Sequence, residues 1–286
     1  MSALNFVSSS KAGEDTLRVL RQYKKRGITP VHLQKYVEGI EVGVARYFNG
    51  TDWVGPIEIN HEHKRLHEGD RGPLTPEMGT ILWYTDEQVR LFTETLGRLQ
   101  PHLREINFRG DFDINFIVNE EGAWPLEATP RFGCPSTEIQ IELHTSPWTD
   151  FLMHVGQGKP YPLTHHPGFG IAVSVVCAPF PYMDDARDTR ILGKEPKQIT
   201  FPPHHEDGKS FIHFEEISRD EKGYYWSGSY GLLFHVTAHA DTIDEAQRRV
   251  YKRVEKIHGT GLYWRKDIGE RVRTHDIPTL KKWGWL

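Results

Sequence analysis

Residues 110–131 run GDFDINFIVNEEGAWPLEATPR. Gly110 to Val118 reads as a strand, Asn119-Glu-Glu-Gly122 as a turn, and Ala123 to Ala128 as a returning strand, so the segment predicts a β-hairpin. Alternation places Asp111, Asp113 and Asn115 on one face of the first strand. Glu127 and Thr129 share a face at the end of the second. Oxygen ligands on adjacent strands are what a magnesium ion requires, with water and phosphates completing its octahedron. Arg131 follows immediately and can hold an anion. The same pattern also fits a hairpin whose acids merely face solvent, and the residues alone leave both readings open.

Working outward, Asp15 to Arg26 (DTLRVLRQYKKR) predicts a short amphipathic helix closed by Gly27. IEVGVARYFNG, residues 40–50, ends in Asn49-Gly50, a strong hairpin signal, with Asp52 to Ile59 as the returning strand. Residues 61–79, rich in Gly, Pro and charge, read as a long loop. Thr85 to Leu103 predicts one helix with Val89, Phe92, Leu96 and Leu99 on a stripe and a Thr85/Gln88 capping box. A second helix starts at Ser136. Three prolines and two histidines between Lys159 and Gly168 suggest a domain boundary. Beyond it Ile171–Ala178, Ser210–Ile217 and Leu232–Ala238 predict strands, and Thr242–Ile257 a helix.

The chain has 286 residues, enough for about two domains. With 35 Lys and Arg against 39 Asp and Glu the net charge is −4, which excludes a globally basic nucleic-acid binder. The least polar stretch, Gly168 to Met183, is too short and too broken to span a bilayer as a helix, and the N-terminus has no apolar core behind a basic start. Two cysteines, Cys134 and Cys177, argue against a disulfide framework and fit a reducing cytoplasm.

Further groups are candidates for chemistry. His61-Glu-His-Lys-Arg65, with Glu68, Asp70 and Gly72-Pro73, has the cations to grip an anionic substrate, although charge runs usually face water. His61 and His63 with Glu62 or Glu68 give a weak zinc pattern lacking a nearby cysteine. Cys134 can act as a nucleophile only beside a base that the sequence does not place, and otherwise reads as a partly buried small residue. The pairs His165-His166 and His204-His205 sit beside prolines and read as surface loops. The tail interleaves Arg265, Lys266, Arg271, Arg273, Lys281 and Lys282 with Trp264, Trp283 and Trp285, a pattern compatible with single-stranded nucleic acid but offset by Asp267, Glu270 and Asp276.

At these residues the chain resembles the phosphoribosylamine–glycine ligase family of ATP-grasp enzymes. Four blocks carry the resemblance in family order: Gln34-Lys-Tyr-Val-Glu-Gly-Ile-Glu41; Glu62-His-Lys-Arg65 continuing through Asp70, Gly72-Pro73, Thr75 and Met78-Gly79; Leu126-Glu127 through Arg131-Phe-Gly133 and Pro135; and Glu245-Ala-Gln with Tyr251, then Arg265-Lys-Asp-Ile-Gly269 and Arg271. The resemblance implies an α+β chain. Residues 1–50 would be a partial ATP-grasp lid, 51–160 a large subdomain with a mixed or antiparallel sheet, and 168–286 a small β-rich C-terminal domain.

By resemblance, ATP and Mg2+ (or Mn2+) are the cofactors. Gln34, Lys35 and Val37 would read the adenine, and Glu41 the ribose. Glu127, Asn115 and Thr129 would hold the metal. Arg131, Lys64 and Arg65 would act on the reacting anions, and Asp70, Gly72, Pro73 and Gly133 would bind substrate. The implied reaction is a carboxylate–amine ligation through an acyl phosphate, releasing ADP and phosphate, with glycine and phosphoribosylamine as substrates in cytoplasmic purine biosynthesis. No nucleic acid or membrane partner is implied.

The family also carries an N-terminal amine-binding domain and a glycine-rich lysine segment, which Ser8-Ser-Ser-Lys11 replaces poorly. A second polypeptide supplying that portion is therefore an expected partner. Thr129 stands where the family has Asn, Asn115 where related ligases keep a metal-binding Asp, and Cys134-Pro135-Ser136 where the family has D-P-E. These departures leave a non-catalytic or partner-dependent nucleotide-binding remnant as the alternative.

Overall fold

The computed structural model describes Ser8, Ser10 and residues 12–182, 198–203 and 211–286. Ser9, Lys11, Met183, His204-His205 and Ser210 lie outside the described residues. The chain divides after Val37 into two units.

The first unit contains α1 (Glu14–Lys25), with Glu14 and Asp15 in its first turn and Lys24 and Lys25 in its last. Those charges complement the helix dipole at both ends. Irregular chain follows from Ile28 to Val37.

The second unit is built on one eight-stranded sheet. Its strands are β1 (Ile40–Asn49), β2 (Trp53–Glu62), β5 (Gly79–Thr85), β6 (Arg109–Val118), β7 (Ala123–Thr129), β8 (Phe169–Val176), β10 (Ile212–Phe214) and β13 (Leu232–Ala240). They lie in the order β10-β13-β8-β5-β2-β1-β6-β7. Neighbours are antiparallel throughout. Both expected hairpins are present. At the first, the Asn49 side chain accepts from the backbone of Thr51 and Asp52, closing the turn between β1 and β2.

A second sheet has the order β11-β12-β9-β14, from β9 (Gln198–Thr200), β11 (Ile217–Asp220), β12 (Gly223–Trp226) and β14 (His258–Gly259). This is the small β-rich C-terminal element. The expected boundaries do not match the sheet. β8 hydrogen-bonds β5, so the main sheet runs straight across residues 159–168. β1 likewise belongs to the main sheet, which moves the first division from residue 50 to residue 37.

Alternation gives the sheet two chemically distinct faces. Val42 and Val44 of β1, Ile57 and Ile59 of β2, and Ile114 and Phe116 of β6 form an apolar face, packed against Leu91, Phe92, Leu96, Leu280 and Trp285. The helical cover comes from α2 (Arg90–Thr93), a 3-10 turn at Leu96–Leu99, α3 (Gln100–Glu105) and the C-terminal α7 (Ile277–Lys282). The continuous helix expected over 85–103 is therefore broken. Thr85 ends β5 and accepts from Glu87 rather than capping a helix. A Cβ on Gly97 would come within 2.9 Å of the Phe92 carbonyl, and Pro101 restarts the helix at α3. The predicted stripe nonetheless faces the core.

On the opposite face, α4 (Ser136–Leu143) lays Ile139 and Leu143 on Leu82 and Ala172, and α5 (Trp148–Gly156) lays Phe151 and Val155 on Tyr47 and Val54. The remaining helix, α6 (Ile243–Val254), is capped by Thr242 and buries Ala246, Val250 and Val254 among the side chains of β8 and β13.

Residues 61–79 are not a single loop. β2 continues to Glu62, and β3 (Arg65–His67) and β4 (Arg71–Leu74) form a small hairpin whose turn uses Gly69 and Asp70 at positive φ. Ionic ties hold the hairpin to the C-terminal segment. Arg265, 1% exposed, makes a two-pronged contact with Asp267 (2.8 Å on each side) and also donates to Asp70 Oδ1 at 2.9 Å and to the Arg65 carbonyl at 3.0 Å. Arg271 donates to Asp70 Oδ2 and, at 3.0 Å, to Asp276. The tail's arginines and tryptophans thus serve the fold. Trp285 is buried, donating its indole N–H to the Asn119 carbonyl at 2.8 Å under the Arg90 guanidinium.

Candidate active site

The polar face of the main sheet collects the chemistry. Across its centre, Asn60 of β2 and Asn115 of β6 both stand opposite Gly43 of β1. A Cβ on Gly43 would sit 2.1 Å from Asn60 Oδ1 and 2.7 Å from Asn115 Oδ1, so only glycine lets the two amides close over the middle strand. Glu127 on β7 stands opposite Asn115, and Thr129 opposite Asp113.

Lys64 is the hub. Its Nζ lies 2.9 Å from Glu62, 3.2 Å from Glu41 and 3.6 Å from Glu127. Asn115 Nδ2 donates to Glu62 at 3.1 Å. Burial opposes the charge on Nζ, but the converging carboxylates outweigh it and push the lysine's pKa up, so Nζ stays charged. Glu127 is the open side of the cluster, with 61% of its side chain exposed.

Next to this cluster the same face is sealed under α4. Gln140 donates to Glu58 (2.9 Å) and Asp111 (3.3 Å) and accepts from the Tyr47 hydroxyl at 2.9 Å, while Asn60 donates to Asp113 at 3.0 Å. Burial and mutual repulsion drive Glu58 well above the carboxylate range, and burial takes Asp111 to about 6 and Asp113 to about 7. For Asp113 the folded state keeps its proton up to about pH 7, whereas an unfolded aspartate loses it near ~3.9. Stability from this group is therefore complete below the unfolded value and is lost as pH rises through about 7. Asp113→Asn is expected to be more stable than the wild type at pH ~8, by up to about 4 kcal/mol, and so to melt at a higher temperature, with the gap closing toward pH ~4. Equal melting temperatures for the two proteins at both pH values would contradict this.

The structure brings together four expected site residues, Glu41, Lys64, Asn115 and Glu127, and adds Glu62 to them. Arg65 and Arg131 are exposed and donate locally, to the Gly72 carbonyl at 2.8 Å and to the Phe132 carbonyl at 2.8 Å. Asp70 differs from expectation, because both of its oxygens are engaged by Arg265 and Arg271. Gly72, at φ 83°, shapes the hairpin. A Cβ there would meet His67 at 2.6 Å. Pro73 and Gly133 are half-buried, and the Gly133 carbonyl accepts from Thr137 at the start of α4. Gln34 and Lys35 are exposed and Val37 half-buried in the irregular chain of the first unit.

The His61/His63 zinc pattern is not formed. Alternation turns His61 away from Glu62 onto the apolar face, where it stacks on Trp83. His63 is buried with Nδ1 3.2 Å from the Gly79 carbonyl, and its Nε2 accepts from the Gly269 N–H at 3.1 Å, which fixes a neutral imidazole. Burial lowers both pKa values to about 4.

Residues 7–137 match the family model for the phosphoribosylglycinamide synthetase ATP-grasp (A) domain. Over these residues the chain is similar to an ATP-grasp domain. It is 26% identical to the phosphoribosylamine–glycine ligase of Clostridium acetobutylicum, over 91% of this chain and 61% of that protein. It is 29% identical to the one from Mycobacterium leprae, over 84% of this chain and 55% of that protein. Among solved structures, phosphoribosylamine–glycine ligase from Thermotoga maritima superposes with a TM-score of 0.62 at 22% identity, covering 82% of this chain and 57% of the other. The chain thus spans little more than half the length of these relatives. Its eight-stranded sheet and small four-stranded sheet are the α+β architecture implied by the resemblance, with purely antiparallel pairing in the large sheet. Among the described residues, no helix is long and apolar enough to cross a membrane.

Proposed function

We propose that this chain is of the ATP-grasp class and carries the nucleotide and metal chemistry of a carboxylate–amine ligase of the phosphoribosylamine–glycine ligase type, acting in cytoplasmic purine biosynthesis. The observation behind this reading is the convergence of Glu41, Glu62 and Glu127 on Lys64 beside Asn115, on the open part of the sheet's polar face. Hard oxygen donors from adjacent strands suit Mg2+ or Mn2+. The Lys64 ammonium already neutralises the point where they meet, and the buried Asn115 Oδ1 has no hydrogen-bond partner. The donor set therefore fits the ion. Glu127 and Asn115 would hold it, with Thr129 beside them. The ion would supply neutralisation of the ATP phosphates.

In this reading Glu41 accepts hydrogen bonds from the ribose hydroxyls. Lys64 exchanges carboxylate partners for phosphate oxygens as the nucleotide enters. A glycine carboxylate oxygen attacks the γ-phosphorus and ADP leaves. The amine of phosphoribosylamine then attacks the carbonyl carbon and expels phosphate. Arg65 and Arg131, exposed and carrying donors to spare, orient these anions. Gly72, Pro73 and Gly133 shape the substrate loops, and Asp70 keeps the β3–β4 hairpin in place.

The test is ADP release in the presence of glycine and phosphoribosylamine generated in the assay, with and without a separately produced amine-binding domain from a relative. ADP release that requires both substrates is the expected result. Tight ADP binding with no turnover in either mixture would overturn the ligase reading in favour of a nucleotide-binding module.

A further inference from the structure

One cluster of chemistry-bearing side chains lies outside the carboxylate hub. His235 of β13 is fully buried, and its Nε2 lies 3.5 Å from the thiol of Cys134 and 3.7 Å from Glu215 Oε1. The thiol and the carboxylate are 4.0 Å apart. The other imidazole nitrogen, Nδ1, is 3.1 Å from the Ser174 hydroxyl. Three elements far apart in sequence supply the set: the approach to α4, the chain after β10, and β13. Cys134 and Glu215 are exposed, so the cluster opens to solvent while its histidine is anchored in the sheet.

The spacing is informative. Zinc binds sulfur at about 2.3 Å and nitrogen or carboxylate oxygen at about 2.0–2.2 Å, so ligand atoms at tetrahedral corners lie about 3.3–3.8 Å apart. The three separations here match those edges to within a few tenths of an ångström. The outer contact is also right. With Nδ1–H donated to Ser174, the lone pair of Nε2 points at the thiol and carboxylate, which is how metal-bound histidines are usually oriented.

A divalent cation bound by these three groups would displace the thiol proton to water.

We propose that Cys134, Glu215 and His235 form a three-ligand site for a zinc-class divalent metal, with a fourth position open to water or a small anion. It is separate from the oxygen-donor set around Glu127, because its sulfur and imidazole donors select a softer ion than magnesium.

The experiment uses the full chain, dialysed against chelator, titrated with zinc alone in competition with a chromophoric chelator, and with cobalt alone by absorbance. One zinc per chain and a thiolate-to-cobalt charge-transfer band are expected, both persisting in millimolar magnesium. Cys134→Ser, at an exposed position, is expected to melt like the wild type, to lose the band, and to weaken zinc at least about a hundredfold. That is the upper end of the cost of losing an outer-shell partner. Ser174→Ala is expected to keep the band and weaken zinc about tenfold. Equal zinc affinity in wild type and Cys134→Ser, or the absence of a thiolate band, would overturn the proposal.

Discussion

Replacing Arg265 with methionine is expected to lower folding stability by about 3–5 kcal/mol, the scale for breaking a buried charge pair by removing one partner. The guanidinium is 1% exposed and joins two carboxylates and a backbone carbonyl. Its loss strips Asp267 of two hydrogen bonds and leaves Asp70 facing Arg271 alone, while the β3–β4 hairpin is released from the C-terminal segment. Asp267 also accepts from the Gly69 N–H at 2.8 Å, so the hairpin turn loses its anchor with it. Asp70→Asn is expected to cost less, because its side chain is 31% exposed and water can replace part of what is lost. Urea unfolding of the three proteins measures both effects. A midpoint for Arg265→Met within error of the wild type would show that the tie does not hold the hairpin.

This tie also explains what the sequence leaves unread. Strands of three and four residues have too little pattern to register, and the contact that orders them links Asp70 to Arg265 across 195 residues. β5 is hidden for another reason. GTILWYT is a short, nearly unbroken apolar run lying between a charged segment and a helical stripe, so the alternation that exposes β6 is missing. The β6–β7 and β1–β2 hairpins were legible because each combines alternation with a specific turn, Asn119–Gly122 and Asn49-Gly50. The helix pattern over 85–103 gave the right buried face with the wrong continuity, since an apolar stripe does not register the contact that Gly97 makes with Phe92.

Of the site, Glu41, Lys64, Asn115 and Glu127 were named through the family resemblance, and alternation alone had placed Asn115 and Glu127 on their faces. Glu62 went unassigned to the cluster, although the signal was present. Alternation along β2 sets Glu62 with Glu58 and Asn60 and turns His61 away, which argues against the zinc pattern in the same step. The arrangement of Cys134, Glu215 and His235 had no local signal, because the cysteine and histidine are 101 residues apart.

Glu127→Gln is expected to weaken magnesium-dependent nucleotide binding roughly tenfold or more, the ~1.5–3 kcal/mol scale of an interaction with a charged group. The substitution keeps the size of the side chain and removes the charge. Glu127 is open to solvent, so the fold has little at stake in it, and its melting temperature should stay close to that of the wild type. Lys64 would keep Glu41 and Glu62 as partners. A loss of binding would therefore report on the metal and its phosphates rather than on the sheet.

Calorimetric titration of the chain with ADP, with and without magnesium, tests the proposed nucleotide and metal site most directly. The expected result is binding that tightens with magnesium and weakens in both Glu41→Ala and Glu127→Gln. ADP binding that ignores magnesium and both substitutions, or no binding at millimolar ADP, would contradict a nucleotide site on the polar face of this sheet.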